Sequence, residues 1–296
     1  MKDMQGLFKK SQYEIMMERQ QKIASASEQK KIARKLPAIK AEEHERLGDN
    51  YVRQGDINKA FIQYNKALRL ERENTAVRDK MGRLFLRKGL YAQAIRIFQD
   101  VLLSDPENSL AFEGMGRAYF KMRKLEEAEK NFILAVSHDP TLWQVHNFLG
   151  IIYDRQKEYG IAIQEYKTAI ALNPDDGSLF NNLGMSYYFN GEYENALDSY
   201  MKALEHDGTK TKTYNNLALS LSKLERYDEA VEAFKKAGDN ASAYNNIGYI
   251  YMIEGKYGEA VQAFEKAQEL NSRFYVKAHE NIVNAKEVNN IALSKQ

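Results

Sequence analysis

The sequence contains no cysteine, which removes disulfides, thiolate chemistry, cysteine-ligated zinc and cysteine lipidation from these 296 residues. Proline is scarce at four residues, so little stands against helix over most of the length. No stretch approaches the ~18 consecutive apolar residues of a membrane span. The N-terminal segment MKDMQGLFKKSQYEIMM lacks the apolar centre between charged flanks that marks a secretory signal. Phosphate-binding G-x-x-x-x-G-K-[ST], nucleophile-elbow G-x-S-x-G and zinc-binding H-E-x-x-H patterns do not occur. The five histidines are spread along the chain without clustering, and carboxylate pairs such as Glu126 and Glu127 read as solvated helix starts. These absences predict a chain that is not an enzyme and has neither cofactor nor metal site.

Charge is divided unevenly. Residues 1–40 hold ten Lys/Arg against four Asp/Glu, although the whole chain carries only +2, so the remainder stands at about −4. A basic arm, partly helical or flexible, on a mildly acidic body predicts protein partners, not nucleic acid. Membrane contact is expected only through the arm, whose Met4, Leu7, Phe8 and Ile15 fall loosely on one face.

What the chain does have is a period. A small residue recurs at Gly48, Gly82, Gly116, Gly150, Gly184, Ala218 and Gly248, spaced by 34 residues five times and then by 30. Twelve residues after each stands alanine, from Ala60 to Ala260, and four further on an aromatic: Tyr64, Phe98, Phe132, Tyr166, Tyr200, Phe234 and Phe264. On two helices of a hairpin, the small residues let the backbones approach and the rings fill the space between. Gly114 and Gly116 of "GMGR" belong to this packing pattern. Pro106, Pro140 and Pro174 share one position past the second helix and act as stops. Where the spacing drops to 30, the missing residues fall after Ala237, which shortens one second helix by about a turn; "GDN" then supplies a stop and a new helix start.

These landmarks resemble those of the tetratricopeptide repeat. The resemblance implies an all-α, right-handed superhelical solenoid of seven helix-turn-helix repeats at 41–74, 75–108, 109–142, 143–176, 177–210, 211–240 and 241–274. The arm 1–40 precedes them, a capping helix at 275–290 follows with Tyr275, Ala278, Ile282 and Ala285 on one stripe, and 291–296 is a frayed tail.

In that family the first helices line a concave groove. Carried over, Arg83, Arg87, Arg117 and Lys121 place a charged surface of mixed sign in the early repeats. From repeat four the surface becomes amide and apolar: Asn147 with Phe148, then Asn181, Asn182, Asn215, Asn216, Asn245 and Asn246, beside Met185, Tyr188, Phe189, Tyr249 and Met252. A carboxamide offers donor and acceptor together and can grip a peptide backbone whatever its side chains. Asn182, Asn216 and Asn246 are similar to the asparagine ladder of the O-linked N-acetylglucosamine transferase superhelix. On this reading the amides are free for a ligand, and replacing those three by alanine leaves stability untouched. The Lys/Asn, Asn, Lys/Arg trio of the chaperone-tail clamp is not supplied by any three consecutive repeats.

Residues 142–283 further resemble the repeat lipoprotein of the Flp (tight-adherence) pilus assembly system. That implies a bacterial protein on the periplasmic side of the outer membrane if the chain is trimmed, since it shows neither signal nor lipobox; otherwise it is cytoplasmic. The expected function is a monomeric scaffold that binds protein or extended peptide in pilus or secretion assembly. Alternatives are a cytosolic adaptor or regulator, and an accessory region of a larger enzyme such as a glycosyltransferase.

Overall fold

A computed structural model describes residues 39–206, 210–271 and 275–293. The arm reading therefore lies almost wholly outside the described residues, as do the side chains of Tyr275 and Ala278. Among the described residues the fold is all-α, with fifteen helices and no strand. They are α1 (Ala41–Arg53), α2 (Ile57–Leu70), α3 (Thr75–Arg87), α4 (Tyr91–Ser104), α5 (Ser109–Lys121), α6 (Leu125–His138), α7 (Trp143–Gln156) and α8 (Tyr159–Leu172). After these come α9 (Gly177–Phe189), α10 (Tyr193–Glu205), α11 (Lys210–Lys223), α12 (Tyr227–Ala237), α13 (Asn240–Ile253), α14 (Tyr257–Leu270) and α15 (Tyr275–Leu293). Odd-numbered helices α1 to α13 are the first of a pair and even-numbered ones the second. The chain divides into two compact units at Met81/Gly82, within α3.

Each pair is joined by the same turn. Gly55, Gly89, Arg123, Lys157, Gly191, Glu225 and Gly255 have φ between 59° and 83°, the left-handed region. The next residue donates its N–H to a carbonyl five residues back, as in Asp56 to Tyr51 and Glu192 to Tyr187, both at 2.9 Å. This closes the last turn of the first helix and reverses the chain. Glycine suits the position in four turns; Arg123, Lys157 and Glu225 accept the steric cost that a Cβ brings there. Second-helix starts are reinforced at Asp56, whose carboxylate accepts from the Lys59 N–H, and first-helix starts at Asn108, Asp176 and Asp239 in the same way.

The hairpins close on one contact. A Cβ placed on Gly184 would stand 2.6 Å from the Tyr200 ring, and one on Gly150 2.7 Å from Tyr166; Gly48, Gly82, Gly116 and Gly248 meet Tyr64, Phe98, Phe132 and Phe264 as closely. Gly114 meets the other side of Phe98. These rings are buried, and so is the alanine four residues before each of them, from Ala60 to Ala260. The helix face is thus flattened where the ring must lie, and the ring fills the gap to native density. Ala218 replaces glycine only in the sixth pair, whose second helix α12 is also the shortest at 11 residues against 13 or 14 elsewhere. Its end at Ala237, and the Asp239 cap on the Ser242 N–H, are where the sequence places them.

At the C-terminus Ile282 and Ala285 of α15 bury against Ala260 and Phe264. The helix continues to Leu293, past the expected 290, because no glycine or proline intervenes to stop it.

Two glycine substitutions should have opposite signs. Gly184→Ala drives a methyl into the Tyr200 ring and should cost about 1–3 kcal/mol by overpacking. Gly160 lies in α8 with open space around its Cα, so Gly160→Ala should stabilise by about 0.4–1 kcal/mol. Urea unfolding of both variants checks the pair; a neutral Gly184→Ala would show that the ring moves freely.

Candidate functional site

The first helices of neighbouring repeats are joined by hydrogen bonds with a constant offset. Asn182 Nδ2 donates to Asn147 Oδ1 at 3.0 Å, and Asn216 Nδ2 to Asn181 Oδ1 at 3.2 Å, each 35 residues apart. Asn281 Nδ2 of the terminal helix donates to Asn245 Oδ1 at 3.2 Å across 36 residues. In the N-terminal unit the offset is filled by charge: Lys80 Nζ donates to Glu45, and also to Asp49, both at 2.7 Å. Burial works against the charge of Lys80, but the two carboxylates outweigh it and raise its pKa. Elsewhere a ring takes the place of the bond. Phe98 fills against Gly114, and Phe148 stacks on Phe132 with centroids 5.1 Å apart.

The asparagine rows are therefore not a uniformly free ladder, since three bonds between repeats run through them. Asn181 and Asn245 are buried, and their amide oxygens serve the joints; Asn181 Oδ1 also accepts from Thr213 at 3.3 Å. Both are withdrawn from the ligand-facing set. Asn147, Asn182 and Asn216 are half-buried and keep part of their capacity. Between the sixth and seventh pairs, where four residues are missing, the offset bond is not made: Asn215 and Asn246 are half-buried and carry no side-chain hydrogen bond among the described residues.

The other expected residues fall around three cavities. Arg87, Arg117, Lys121 and Phe148 line one of about 220 Å³ with Leu86 and Tyr91. Asn182, Met185 and Phe189 line a larger one of about 500 Å³, whose floor holds Asp154 and Tyr166. Tyr188 lines a third of about 90 Å³ with Leu219, Ile250 and Ile253. Tyr249 donates to Asn281 Oδ1 at 3.0 Å and sets its ring edge-on to Phe264, and Met252 packs on the same cluster, so these two serve the terminal joint. Arg83 pairs with Glu113 at 3.3 Å.

Sequence reasoning missed Asp154. Its carboxylate accepts from the Ser186 hydroxyl at 2.6 Å and the Tyr166 hydroxyl at 2.9 Å. Burial raises its pKa above the usual carboxylate range, against those two hydroxyls. The periodicity could not find it, because no other repeat has aspartate at this position. Asn281 was legible in principle, as a continuation of the asparagine spacing into the terminal helix.

The histidines settle into two local roles. His138 and His206 stack on Phe112 and Phe180. His146, on a first helix, faces two acceptors: Glu165 at 2.7 Å from Nδ1 and the Pro140 carbonyl at 3.1 Å from Nε2. His44 makes the equivalent contact with neutral Gln63 at 2.8 Å. Among the described residues no group of three or more His, Asp or Glu is arranged to hold a metal ion.

Burial disfavours the His146 imidazolium, yet Glu165 and the Pro140 carbonyl outweigh it and raise the pKa. The native state therefore binds this proton more tightly than the unfolded chain. The resulting stability is present in full below the unfolded value of about 6.5 and is lost as pH rises through the higher folded value. Thermal melts from pH 6 to 9 should show this loss in the wild type and a flatter profile in Glu165→Gln; identical profiles would refute the assignment. Removing a joint has its own cost. Asn182→Ala and Asn216→Ala should each lose about 0.5–1.5 kcal/mol, whereas Asn215→Ala and Asn246→Ala should stay within about 0.5 kcal/mol of wild type in denaturant unfolding.

Comparison with solved structures places the fold among repeat proteins of the same kind. The C-terminal part of a TPR repeat-containing protein from Cytophaga hutchinsonii superposes with a TM-score of 0.63 at 19% identity, over 80% of this chain and 98% of that one. A tetratricopeptide repeat protein from Parabacteroides merdae gives 0.54 at 18% identity, over 83% and 98%. YrrB, described as a TPR protein with an unusual peptide-binding site, gives 0.54 at 19% identity, over 68% and 96%. No curated protein sequence matches the chain. A tetratricopeptide repeat model matches residues 241–274. A second model, described as the C-terminal domain of cilia and flagella-associated protein 70, matches residues 9–246. Since that match covers most of the chain, the protein belongs to the family of the cilia and flagella-associated protein 70 C-terminal domain, a family of tetratricopeptide repeats.

Proposed function

We propose that this chain is a non-enzymatic scaffold that holds an extended segment of a partner protein against its first-helix face. The observation that carries this reading is the open joint between the sixth and seventh pairs. Asn215 and Asn246 stand there half-exposed and unbonded, while the offset is bonded between Asn147 and Asn182, Asn181 and Asn216, and Asn245 and Asn281. Two free carboxamides can pair with one or two peptide groups of a passing chain. At ~0.5–1.5 kcal/mol for each net hydrogen bond, they cannot supply useful affinity by themselves, so an apolar anchor is required. Beside them lies the small cavity of Leu219, Ile250 and Ile253, with Ile253 81% exposed. An aliphatic side chain of the partner seated there would supply the missing contribution.

Family membership favours an assembly of cilia or flagella as the setting. The resemblance of residues 142–283 to the pilus-assembly lipoprotein favours a bacterial cell-envelope assembly as the second reading; a tagged chain found in the outer membrane, and not along a cilium, would support it. Either setting leaves the binding mode unchanged.

Panning a random twelve-residue phage-displayed library on the full chain tests that mode. Selected peptides should share an aliphatic residue, and their binding should fall at least tenfold in Asn215→Ala/Asn246→Ala and in Ile250→Ser/Ile253→Ser. Peptides that bind both double variants as tightly as wild type would reject the open joint as the grip.

A further inference from the structure

Two cavities on the first-helix face are rimmed by cations that pair with no acid among the described residues. On sequence this part of the first-helix face looks mixed. In the structure its acid Glu113 is buried and consumed: Arg83 reaches it at 3.3 Å and Arg117 at 3.0 Å. Arg87 and Lys121 are exposed, with no hydrogen bond or ion pair among the described residues. They share one cavity with Arg117, whose guanidinium lies 5.7 Å from the centroid of the Phe148 ring. No acidic side chain lines that cavity. Along α7, one to two turns further on, the larger cavity repeats the arrangement. Arg155, Lys157 and Lys212 rim it without ion pairs, and Arg155 stacks 5.2 Å from the Phe120 centroid. The acid on its floor, Asp154, is bonded to two hydroxyls.

From this placement we infer that the segment held by the first-helix face is acidic, with one carboxylate side chain in the Arg87, Arg117 and Lys121 cavity and a second at the Arg155, Lys157 and Lys212 rim. The inference rests on the scaffold reading and specifies its ligand. The Phe148 ring beside Arg117 and the Phe120 ring beside Arg155 orient these two guanidinium groups and desolvate one side, which strengthens their attraction for a carboxylate. Phe148 and Arg155, one on each cavity, are seven residues apart on a helix, or about 10 Å. An extended chain covers that in about three residues. The expected pattern is therefore two acidic residues in Glu-x-x-Glu spacing within the partner segment, reading the face by side-chain carboxylates and not by a chain terminus.

Fluorescence anisotropy with labelled ten-residue peptides tests it on the full chain. One peptide carries Glu at two positions three apart in a Ser/Ala background with one Leu as the aliphatic anchor; controls carry Gln, Lys or phosphoserine at the two Glu positions, and a single-stranded oligonucleotide of equal length is the non-peptide arm. The Glu peptide should bind at least tenfold more tightly than the Gln peptide, weaken between 50 and 300 mM salt, and lose at least tenfold in Arg87→Glu/Lys121→Glu. Both substituted side chains are solvent-exposed, so a folded variant is expected, and circular dichroism checks it. Should that variant misfold, Arg87→Gln/Lys121→Gln replaces it, with a smaller loss expected. Equal binding of Glu and Gln peptides, or affinity unchanged by charge reversal, overturns the inference; if both peptides still weaken in Asn215→Ala/Asn246→Ala, the scaffold reading stands without it. Tighter binding of phosphoserine or of the oligonucleotide than of the Glu peptide also overturns it, the first in favour of a phosphorylated segment and the second in favour of nucleic acid. No binding by any peptide overturns both.

Discussion

The contact between a small residue on each first helix, glycine in all but the sixth pair, and a buried ring on each second helix is the constraint on which everything else depends. A bare backbone at Gly48, Gly82, Gly116, Gly150, Gly184 and Gly248 leaves the only flat surface on which Tyr64, Phe98, Phe132, Tyr166, Tyr200 and Phe264 can lie. With the ring seated, the first helix is held at one rotation about its axis, because the glycine must face inward. Residues two and three positions before it are then fixed in direction, and these carry the offset bonds. The asparagine pairs are aligned across repeats because the rings beneath them are. Each offset bond contributes little by itself, but it is placed by packing that costs several times more to disrupt.

The same offset is filled by different chemistry along the chain, and that variation distinguishes one part of the first-helix face from another. In the N-terminal unit it is Lys80 with Glu45 and Asp49; later it is paired carboxamides; at Gly114 and Phe148 it is aromatic packing. A carboxamide bonded to its neighbour has spent one of its two donors or one of its two lone pairs and keeps the rest. A carboxamide with no neighbour in reach is wholly available. The four-residue shortening at α12 is thus more than a tolerated deletion, because removing a turn from a second helix withdraws the partner of Asn215 without touching the ring contact of Phe234.

The fold was legible because its signals are periodic. The glycine, alanine, ring and proline spacings each report the same hairpin, and "GDN" marks both ends of the shortened connection. The site was legible only in part. Asparagine pairs showed in the sequence as a row of equivalent residues, and equivalence suggested one shared role. The structure divides them: Asn181 and Asn245 are buried acceptors, Asn182 and Asn216 are donors, and Asn215 and Asn246 are free. That division depends on which residue lies 35 positions away, and spacing along one helix cannot reveal it. Charge behaved likewise. Glu113 and the arginines read as mixed sign until burial and pairing removed the acid from the balance.

Asp154 shows the limit from the other side. It occurs once, at a position where other repeats have unrelated residues, so no periodic argument could select it. Its environment is built by three helices: Tyr166 from α8, Ser186 from α9 and its own α7. Two hydroxyls satisfy the carboxylate, and burial raises its pKa against them, so the acid on the floor of this cavity is engaged within the fold. An acid left without partners on that floor would pair with the Arg155, Lys157 and Lys212 rim and make the cavity indifferent to the sign of a ligand. Satisfying Asp154 internally has the opposite effect. It lets a polar, packed floor coexist with a rim whose positive charge faces outward, which is the electrostatic condition for the face to select one class of partner segment.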